Sequence, residues 1–263
     1  GMRRMAAGAG FTPRLSEFYP PFISAMAVLH KQDNQPVYVL HTYPFKETSL
    51  VVELFSRDFG RVAAVAKGAR RPRSAMRGML QSFQPLLATW SGKAELKTLH
   101  SLEWGSGLLL LQGDALMCGF YMNELLLPRE DSHDALFAYY GDTLRTLSQH
   151  AEHATSLRRF ELRMLQEMGY AVPLLQDERD QPIEPERVYE YVAERGACTG
   201  STALPAANRV QLRGKTLLDM ARDDYADSQT QQQSKQLMRM LLAHYLGDKP
   251  LHTRQLLIDL QGL

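Results

Sequence analysis

Between residues 36 and 102 the chain alternates apolar and polar positions with the period of two that is typical of half-buried β-strands. Glycine closes the loop at residues 56–60, which favours a hairpin there. Five short strands within about seventy residues are typical of a small barrel, and the oligonucleotide-binding (OB) fold is the usual barrel of this size, although an SH3-like barrel fits the same pattern. The predicted strands cover residues 36–41, 49–55, 61–67, 85–90 and 95–102.

Beyond Trp104 the apolar positions recur with the 3.6-residue period of helices. Asp114 is placed to cap the first helix, and Gly169 to end the third. The first helix is predicted to bury Leu116, Met117, Phe120 and Tyr121. The predicted helices cover residues 114–127, 132–147, 155–168, 217–220, 231–246 and 253–260.

Residues 170–214 interrupt the helical pattern with prolines and acidic residues, and two β-like runs at 188–192 and 197–202 indicate an inserted loop or hairpin. The chain is therefore predicted to be an α+β protein, a five-stranded OB-fold barrel followed by an α-helical domain with a small irregular insertion. The predicted boundaries are a flexible N-terminal extension at 1–32, the barrel at 33–105, and the helical domain at 106–263 with its insertion at about 170–214.

Charge is unevenly divided along the chain. The net charge of +1 consists of +3 for residues 1–32, +4 for residues 33–104 and −6 for the remainder. The segment 67–78, KGARRPRSAMRG, has no acidic residue, and Gly68 and Pro72 predict that it is an exposed loop. Such a loop favours a polyanion, although basic runs are often only solvated surface. Its cations are Lys67, Arg70, Arg71, Arg73 and Arg77.

The predicted barrel interleaves basic and aromatic residues. Single-stranded nucleic acid is bound by this combination, a cationic groove along the backbone with aromatic rings beneath the bases. Burial in the barrel core is the alternative for the aromatics, above all for Phe83 and Trp90. Besides the five cations of the loop, the candidate contacts are Lys46, Arg61, Lys93 and Lys97, with Tyr43 and Phe45 as further aromatics.

The sequence contains few motifs typical of enzymes, metal sites or membrane proteins. No phosphate-binding glycine loop of either common type occurs, which argues against nucleotide hydrolases and dinucleotide enzymes. A metal-dependent nuclease is an alternative that would use the acids of the insertion, but these lie on a proline-broken segment that is typical of a solvated loop. Cys118 is predicted to be a buried small hydrophobe. With two cysteines, and no apolar stretch long enough to span a bilayer, a cytoplasmic protein is expected. The insertion's acids are Asp177, Glu178, Asp180, Glu184 and Glu186.

The sequence also resembles a known family. The run KETSLVVELFSRDFGRVAAVAKGARRPRSAMRGMLQSFQPLL, followed by YMNELL and LRRFELRMLQEMGY, resembles the RecO family of bacterial DNA-repair recombination mediators. The resemblance implies an OB-fold barrel, a helical domain, binding and annealing of DNA without enzymatic activity, and a role in loading RecA. It also implies two protein partners, RecR and the C-terminal tail of single-strand-binding protein. From the residues alone, an RNA-binding barrel is an open alternative.

One departure from the family concerns metal. Many members bind zinc through two C-x-x-C pairs after the motif that is Gly169-Tyr170 here, yet this chain has only Cys198 in that region. One thiolate does not complete a tetrahedral zinc site, so we predict neither zinc nor any other cofactor.

The tail-binding residues implied by the resemblance are expected on two helices. Arg158 and Arg159 lie just off the apolar stripe of their helix and are predicted to reach the surface. Lys235 and Arg239 are four residues apart and share a helix face. Adjoining faces would form an apolar groove with a cationic rim, which suits an acidic peptide that ends in a carboxylate. The alternative is that these are ordinary helix charges paired with Glu161 or Glu167.

Overall fold

The structure is a computed structural model that describes residues 30–128, 133–149, 152–200 and 205–247. The predicted extension up to residue 29 and the predicted helix at 253–260 lie outside these residues. The barrel comprises β1 (Lys31–Phe45), β2 (Ser49–Ser56), β3 (Gly60–Ala66), β4 (Leu86–Ser91) and β5 (Leu96–Trp104). The following elements are α1 (Asp114–Leu126), α2 (Asp134–Ser148), α3 (His153–Glu167), β6 (Val188–Val192), β7 (Gly196–Cys198), β8 (Arg209–Arg213), α4 (Gly214–Ala221) and α5 (Ser228–Leu246).

The five N-terminal strands close into a barrel in the order β1-β2-β3-β5-β4. The β3–β5 pair is parallel, and β1 pairs with β4 to complete the closure. This is the predicted OB fold, and the α+β architecture is confirmed. Val62, Ala64 and Ala66 point into the barrel core, as the alternation along β3 predicts. Trp90 and Leu54 fill the same interior.

Strand β1 is longer than its hydrophobic pattern indicates. It begins at Lys31 rather than residue 36, inside the segment predicted as an extension. Its first residues are polar, and irregularities in the pairing fall between Gln32 and Gln35 and between Val39 and His41. Pairing of Lys31 with Ser91 of β4 forms this part of the strand, so tertiary contact overrides a weak local pattern.

A second core joins the barrel to the helices. Tyr38 and Phe55, on the outside of β1 and β2, pack against Tyr140 of α2 with ring centroids 4.9 and 5.6 Å apart. Buried Asn123 of α1 donates a hydrogen bond to the carbonyl of Leu40 at 3.3 Å and accepts one from the Tyr140 hydroxyl. The barrel and the helical domain therefore share buried apolar and polar contacts.

Two helix predictions need correction. Helix α1 has Gly113 at its N-cap and no capping side chain, so Asp114 lies in the first turn and does not cap. Its buried face differs from the prediction, because Phe120 is exposed. The sequence of α1 is apolar on most sides, so its periodicity does not define one face. The residues that it buries include Ala115, Cys118, Tyr121, Met122 and Leu125, whereas Leu116 and Met117 are only partly buried.

The start of α2 also differs from the prediction. This helix begins at Asp134 with His133 as its N-cap, and the predicted starting residue, Ser132, lies outside the described residues.

The insertion forms a small sheet. Strands β6 and β7 make the predicted hairpin, but a third strand, β8, adds to give the order β7-β6-β8. The chain then passes directly into α4 at Gly214, where an added Cβ would lie 1.9 Å from the carbonyl oxygen of Glu184. Only glycine fits that approach. Within the described residues, no helix is both long and apolar enough to cross a membrane.

Candidate nucleic-acid interface

The segment 67–78, here called the basic loop, connects β3 to the chain before β4 and is anchored by its apolar residues. Ala69 is fully buried in the barrel core. Met76, together with Met79 and Leu80 just beyond the loop, packs against the same core while half-buried. The apolar side chains thus close one end of the barrel, so the loop is attached to the rigid fold along its length.

Backbone hydrogen bonds fix the start of the basic loop. The amide of Gly68 donates to the Ser49 hydroxyl at 3.3 Å, and the amide of Arg70 donates to the carbonyl of Thr48 at 2.9 Å. Gly68 has φ +67°, a conformation that glycine adopts readily. The Arg71 side chain lies over this glycine, 3.5 Å from where a Cβ would be.

All five cations of the basic loop are exposed, as predicted. Among the described residues, no carboxylate forms an ion pair with any of them. The guanidinium of Arg70 donates to the carbonyl of Lys46 at 3.4 Å, which brings the exposed Lys46 to the same end of the barrel. Six positive side chains therefore lie around one end of the barrel, anchored from beneath by apolar packing.

The other predicted barrel cations form a separate group. Arg61 lies at the start of β3, the end opposite the basic loop, and is ion-paired with Glu53 at 2.8 Å. The Tyr43 hydroxyl donates to the same carboxylate at 3.2 Å. Lys97 pairs in register with Ala64 across the β3–β5 contact and is half-buried. Lys93 is exposed in the turn between β4 and β5. Arg61 is thus paired with a carboxylate, while Lys97 lines the same depression as Arg61.

The aromatic residues divide between the core and the surface. Phe83 and Trp90 are 4% and 2% exposed, which confirms the core alternative for both. Tyr43 is exposed and Phe45 is half-buried. Phe59, which the sequence patterns did not single out, is 40% exposed at the β2–β3 hairpin. Phe59 belongs to the turn SRDFG, in which the glycine indicates a hairpin and no pattern indicates that the phenylalanine ring is exposed.

On the helices, the prediction that Arg158 reaches the surface is wrong. Its side chain is 8% exposed and ion-paired at 2.5 Å with Glu161, which is 2% exposed. Burial disfavours the charged guanidinium, but the Glu161 carboxylate more than compensates, so the pKa of Arg158 is raised. The Tyr121 hydroxyl donates to the other oxygen of Glu161 at 2.8 Å. Helix α3 packs against α1, α2 and α5, so more of its surface is buried than its own apolar stripe predicts.

The other predicted tail-binding residues lie nearer the surface. Arg159 is ion-paired with Asp223 at 2.5 Å, and its guanidinium lies 5.8 Å from the centre of the Tyr225 ring. Lys235 is half-buried and Arg239 exposed on α5, the helix against which α3 packs.

Two of the insertion's acids, Asp177 and Glu178, form local contacts within the fold. Asp177 accepts hydrogen bonds from the amides of Arg179 and Gln181, and Glu178 pairs with Arg195 at 2.6 Å. No group of three or more His, Cys, Asp or Glu side chains in the described ranges could hold a metal ion. These contacts do not favour the nuclease alternative.

Both cysteines are buried thiols. Burial raises the pKa of Cys118 to about 12, consistent with its predicted role as a small hydrophobe. Burial, with a hydrogen bond donated to Glu178, raises the pKa of Cys198 to about 11. Among the described residues Cys198 belongs to no group of three or more possible metal ligands, so its surroundings do not fit the tetrahedral zinc site that the resemblance implies for other members.

Comparison with known proteins covers nearly the whole chain. The family model described as "Recombination protein O N terminal" matches residues 28–107, and that described as "Recombination protein O C terminal" matches residues 110–255. The "DNA repair protein RecO" of Nitrosospira multiformis is 54% identical over 89% of this chain and 98% of its own length. Those of Aromatoleum aromaticum and Burkholderia lata are 50% and 49% identical, over 90% and 98% of this chain and 100% and 95% of their own lengths. With the OB-fold barrel, the basic loop and both family models in agreement, the chain belongs to the RecO family of DNA repair and recombination proteins.

Proposed function

We propose that this protein is a non-enzymatic DNA-binding mediator. It binds single- and double-stranded DNA, anneals complementary strands, and helps to load RecA onto single strands coated by single-strand-binding protein, in the cytoplasm at the nucleoid. The observation that carries the proposal is the basic loop, whose five cations are exposed on a segment held by apolar packing. Family membership supports DNA as the ligand.

The chemistry of the loop explains how such a mediator would handle any sequence. Lysine and arginine bind phosphates, which carry no base information. Each phosphate contact releases counterions and so favours binding in a salt-dependent manner. Neutralising two strands on one cationic surface also lowers their mutual repulsion, which is what annealing requires.

Annealing without cleavage separates this proposal from the nuclease alternative. Labelled complementary strands incubated with the protein and magnesium should form duplex and keep their full length. Shortened strands would instead establish a nuclease. Repeating the measurement with RNA strands of the same sequence tests the RNA-binding alternative, which tighter binding and faster annealing of RNA would favour.

The C-terminal tail of single-strand-binding protein is the first proposed protein partner. Arg159, Lys235 and Arg239 are the proposed contacts, because they lie on packed helices and at least partly face solvent. Arg158 is buried and paired with Glu161, so we do not include it among the direct contacts. Arginine suits a terminal carboxylate because its planar fork binds both oxygens.

Arg159→Ala is expected to weaken binding of a labelled tail peptide by about tenfold or more, because a charge-assisted contact contributes about 1.5–3 kcal/mol. Arg163→Ala is the matched control, since Arg163 is exposed on the same helix and paired with Glu167. Fluorescence anisotropy measures both affinities. An unchanged affinity for Arg159→Ala would place the tail elsewhere.

RecR is the second proposed partner, and an exposed apolar patch supports a protein contact. Trp104, Leu108, Leu110 and Phe120 are 50%, 79%, 66% and 40% exposed, which is unusual for side chains of this size. The side chain of Gln84 bonds both the amide and the carbonyl of Leu109, which holds the segment so that its neighbours face outward. No Lys or Arg occurs at residues 98–128, so the patch does not suit DNA.

Leu110→Glu is therefore expected to weaken RecR binding at least tenfold, because a carboxylate would be desolvated within an apolar contact. DNA affinity should be unchanged. Leu175→Glu is the matched control, an equally charged change at a leucine that is 61% exposed in the insertion. Equal RecR affinities for both variants, measured by calorimetry, would show that RecR binds another surface.

A further inference from the structure

Phe59 is a surface aromatic with a fixed orientation. It lies at the end of the loop between β2 and β3, and its amide donates to the Ser56 hydroxyl at 3.3 Å. Its ring meets the ring of Trp90 edge-to-face, with centroids 5.6 Å apart and planes at 84°. Trp90 is itself 2% exposed within the barrel core. A buried ring thus supports an exposed one, which therefore loses little freedom when a ligand covers it.

A depression of about 340 Å³ lies beside this ring. Its walls include Phe59, Trp90, Val62 and Ala63. Lys97 supplies a cation at the wall, while Glu95 is the acid there. The space accommodates a planar ring with its sugar, since ligand pockets begin at roughly 300 Å³. This combination of an aromatic face, an apolar floor and one lysine beside it suits a nucleotide.

We propose that Phe59 stacks on an unpaired base of single-stranded DNA bound to the barrel, with Lys97 beside the backbone of the same nucleotide. The inference rests on the proposed function and adds to it a second contact of a different kind. The basic loop, at the other end of β3, binds phosphates of any nucleic acid. Phe59 needs an exposed base face, which a duplex hides within its stack. Stacking is tolerant of sequence, because every base has such a face.

The two contacts are separated along one strand of the barrel. β3 runs seven residues from Gly60, next to Phe59, to Ala66, next to the basic loop. At about 3.3 Å per residue this is roughly 20 Å, a length that three or four nucleotides of extended single strand span. A single strand of about a dozen nucleotides is long enough to occupy both contacts.

The test compares two strands of equal charge, a twelve-nucleotide oligothymidine and a twelve-unit abasic strand that has the same phosphates without bases. The wild-type full-length protein should bind the oligothymidine about 5- to 150-fold more tightly, the range that one stacked base contributes. Phe59→Leu should remove most of this preference, while its affinity for the abasic strand stays at the wild-type value. Tyr170→Leu is the control and should keep the full preference, because Tyr170 is a half-buried aromatic of the helical domain that stacks on Tyr245 and lies outside the depression.

A second variant keeps the test valid if leucine disturbs the hairpin. Phe59→Trp retains a stacking face and should keep or increase the preference for bases. A preference that survives in Phe59→Leu, or that falls equally in Phe59→Trp and Phe59→Leu, would overturn the stacking contact and leave the proposed function intact. Failure of the wild type to bind either strand would overturn the proposed function itself.

Discussion

Replacing Arg70, Arg71 and Arg73 together with alanine is expected to weaken DNA binding similarly for all sequences. The slope of log affinity against log salt should flatten by about 2 for single strands, because each phosphate contact contributes roughly 0.7 to that slope. If all five cations of the basic loop contact phosphates, the loop's total contribution is roughly −3.5. The triple variant therefore removes most of the electrostatic affinity of the loop.

The structure indicates that this variant folds. The basic loop is held by Ala69 and Met76 and by backbone hydrogen bonds, none of which needs an arginine side chain. The matched control replaces Arg145, Arg163 and Arg195 with alanine, the same change in charge at three exposed arginines of the helical domain. Its salt slope should match the wild type. If the loop variant also retained wild-type affinity and slope, the loop would be solvated surface only.

Arg158→Ala is expected to lower the free energy of unfolding by about 3–5 kcal/mol, because it leaves the Glu161 carboxylate buried without its partner. Of the two hydrogen-bond donors described for that carboxylate, the Tyr121 hydroxyl would remain and the Arg158 guanidinium would be lost. Any loss of tail binding in this variant would then follow from a disturbed α3 rather than from a missing contact. Urea unfolding, followed by circular dichroism, measures the effect.

Two further variants separate the buried charge from the packing of the side chain. Arg159→Ala, on the next residue of the same helix, should cost less than about 1 kcal/mol because its ion pair is exposed. Arg158→Met combined with Glu161→Gln removes both charges at similar volume and should recover most of the stability. A full-stability Arg158→Ala variant would show that the pair is not buried in solution.

The barrel was predictable because its strands have one face toward a core and one away from it, so a period of two appears in the sequence. The full length of β1 was not predictable, since Lys31 and Gln32 are polar and become part of the strand only by pairing with β4. The face of α1 was not predictable either, because a helix that is apolar on most sides can bury any of several stripes.

The candidate site was partly predictable for the same reasons. The exposure of the cations in the basic loop was predictable, because the loop has a high density of positive charge and contains Gly68 and Pro72, which disfavour a buried regular element. Their separation from Lys93 and Lys97 depends on the β3–β5 register, which local sequence does not encode. Arg158 was misplaced because its helix packs against three others, whereas the helical period of a sequence describes only one helix. Phe59 could not be identified from the sequence, because its significance depends on the contact of its ring with that of Trp90, which only the structure shows.

We propose that this chain binds DNA strands through the basic loop and anneals them without cutting them. The most direct measurement is a salt titration of binding to single- and double-stranded oligonucleotides, with annealing of complementary labelled strands followed in the same samples in the presence of magnesium. We expect the logarithm of affinity to fall linearly with the logarithm of salt concentration, annealing to weaken in parallel, and the strands to keep their length. Binding that is insensitive to salt, or strands that are cleaved rather than annealed, would contradict it.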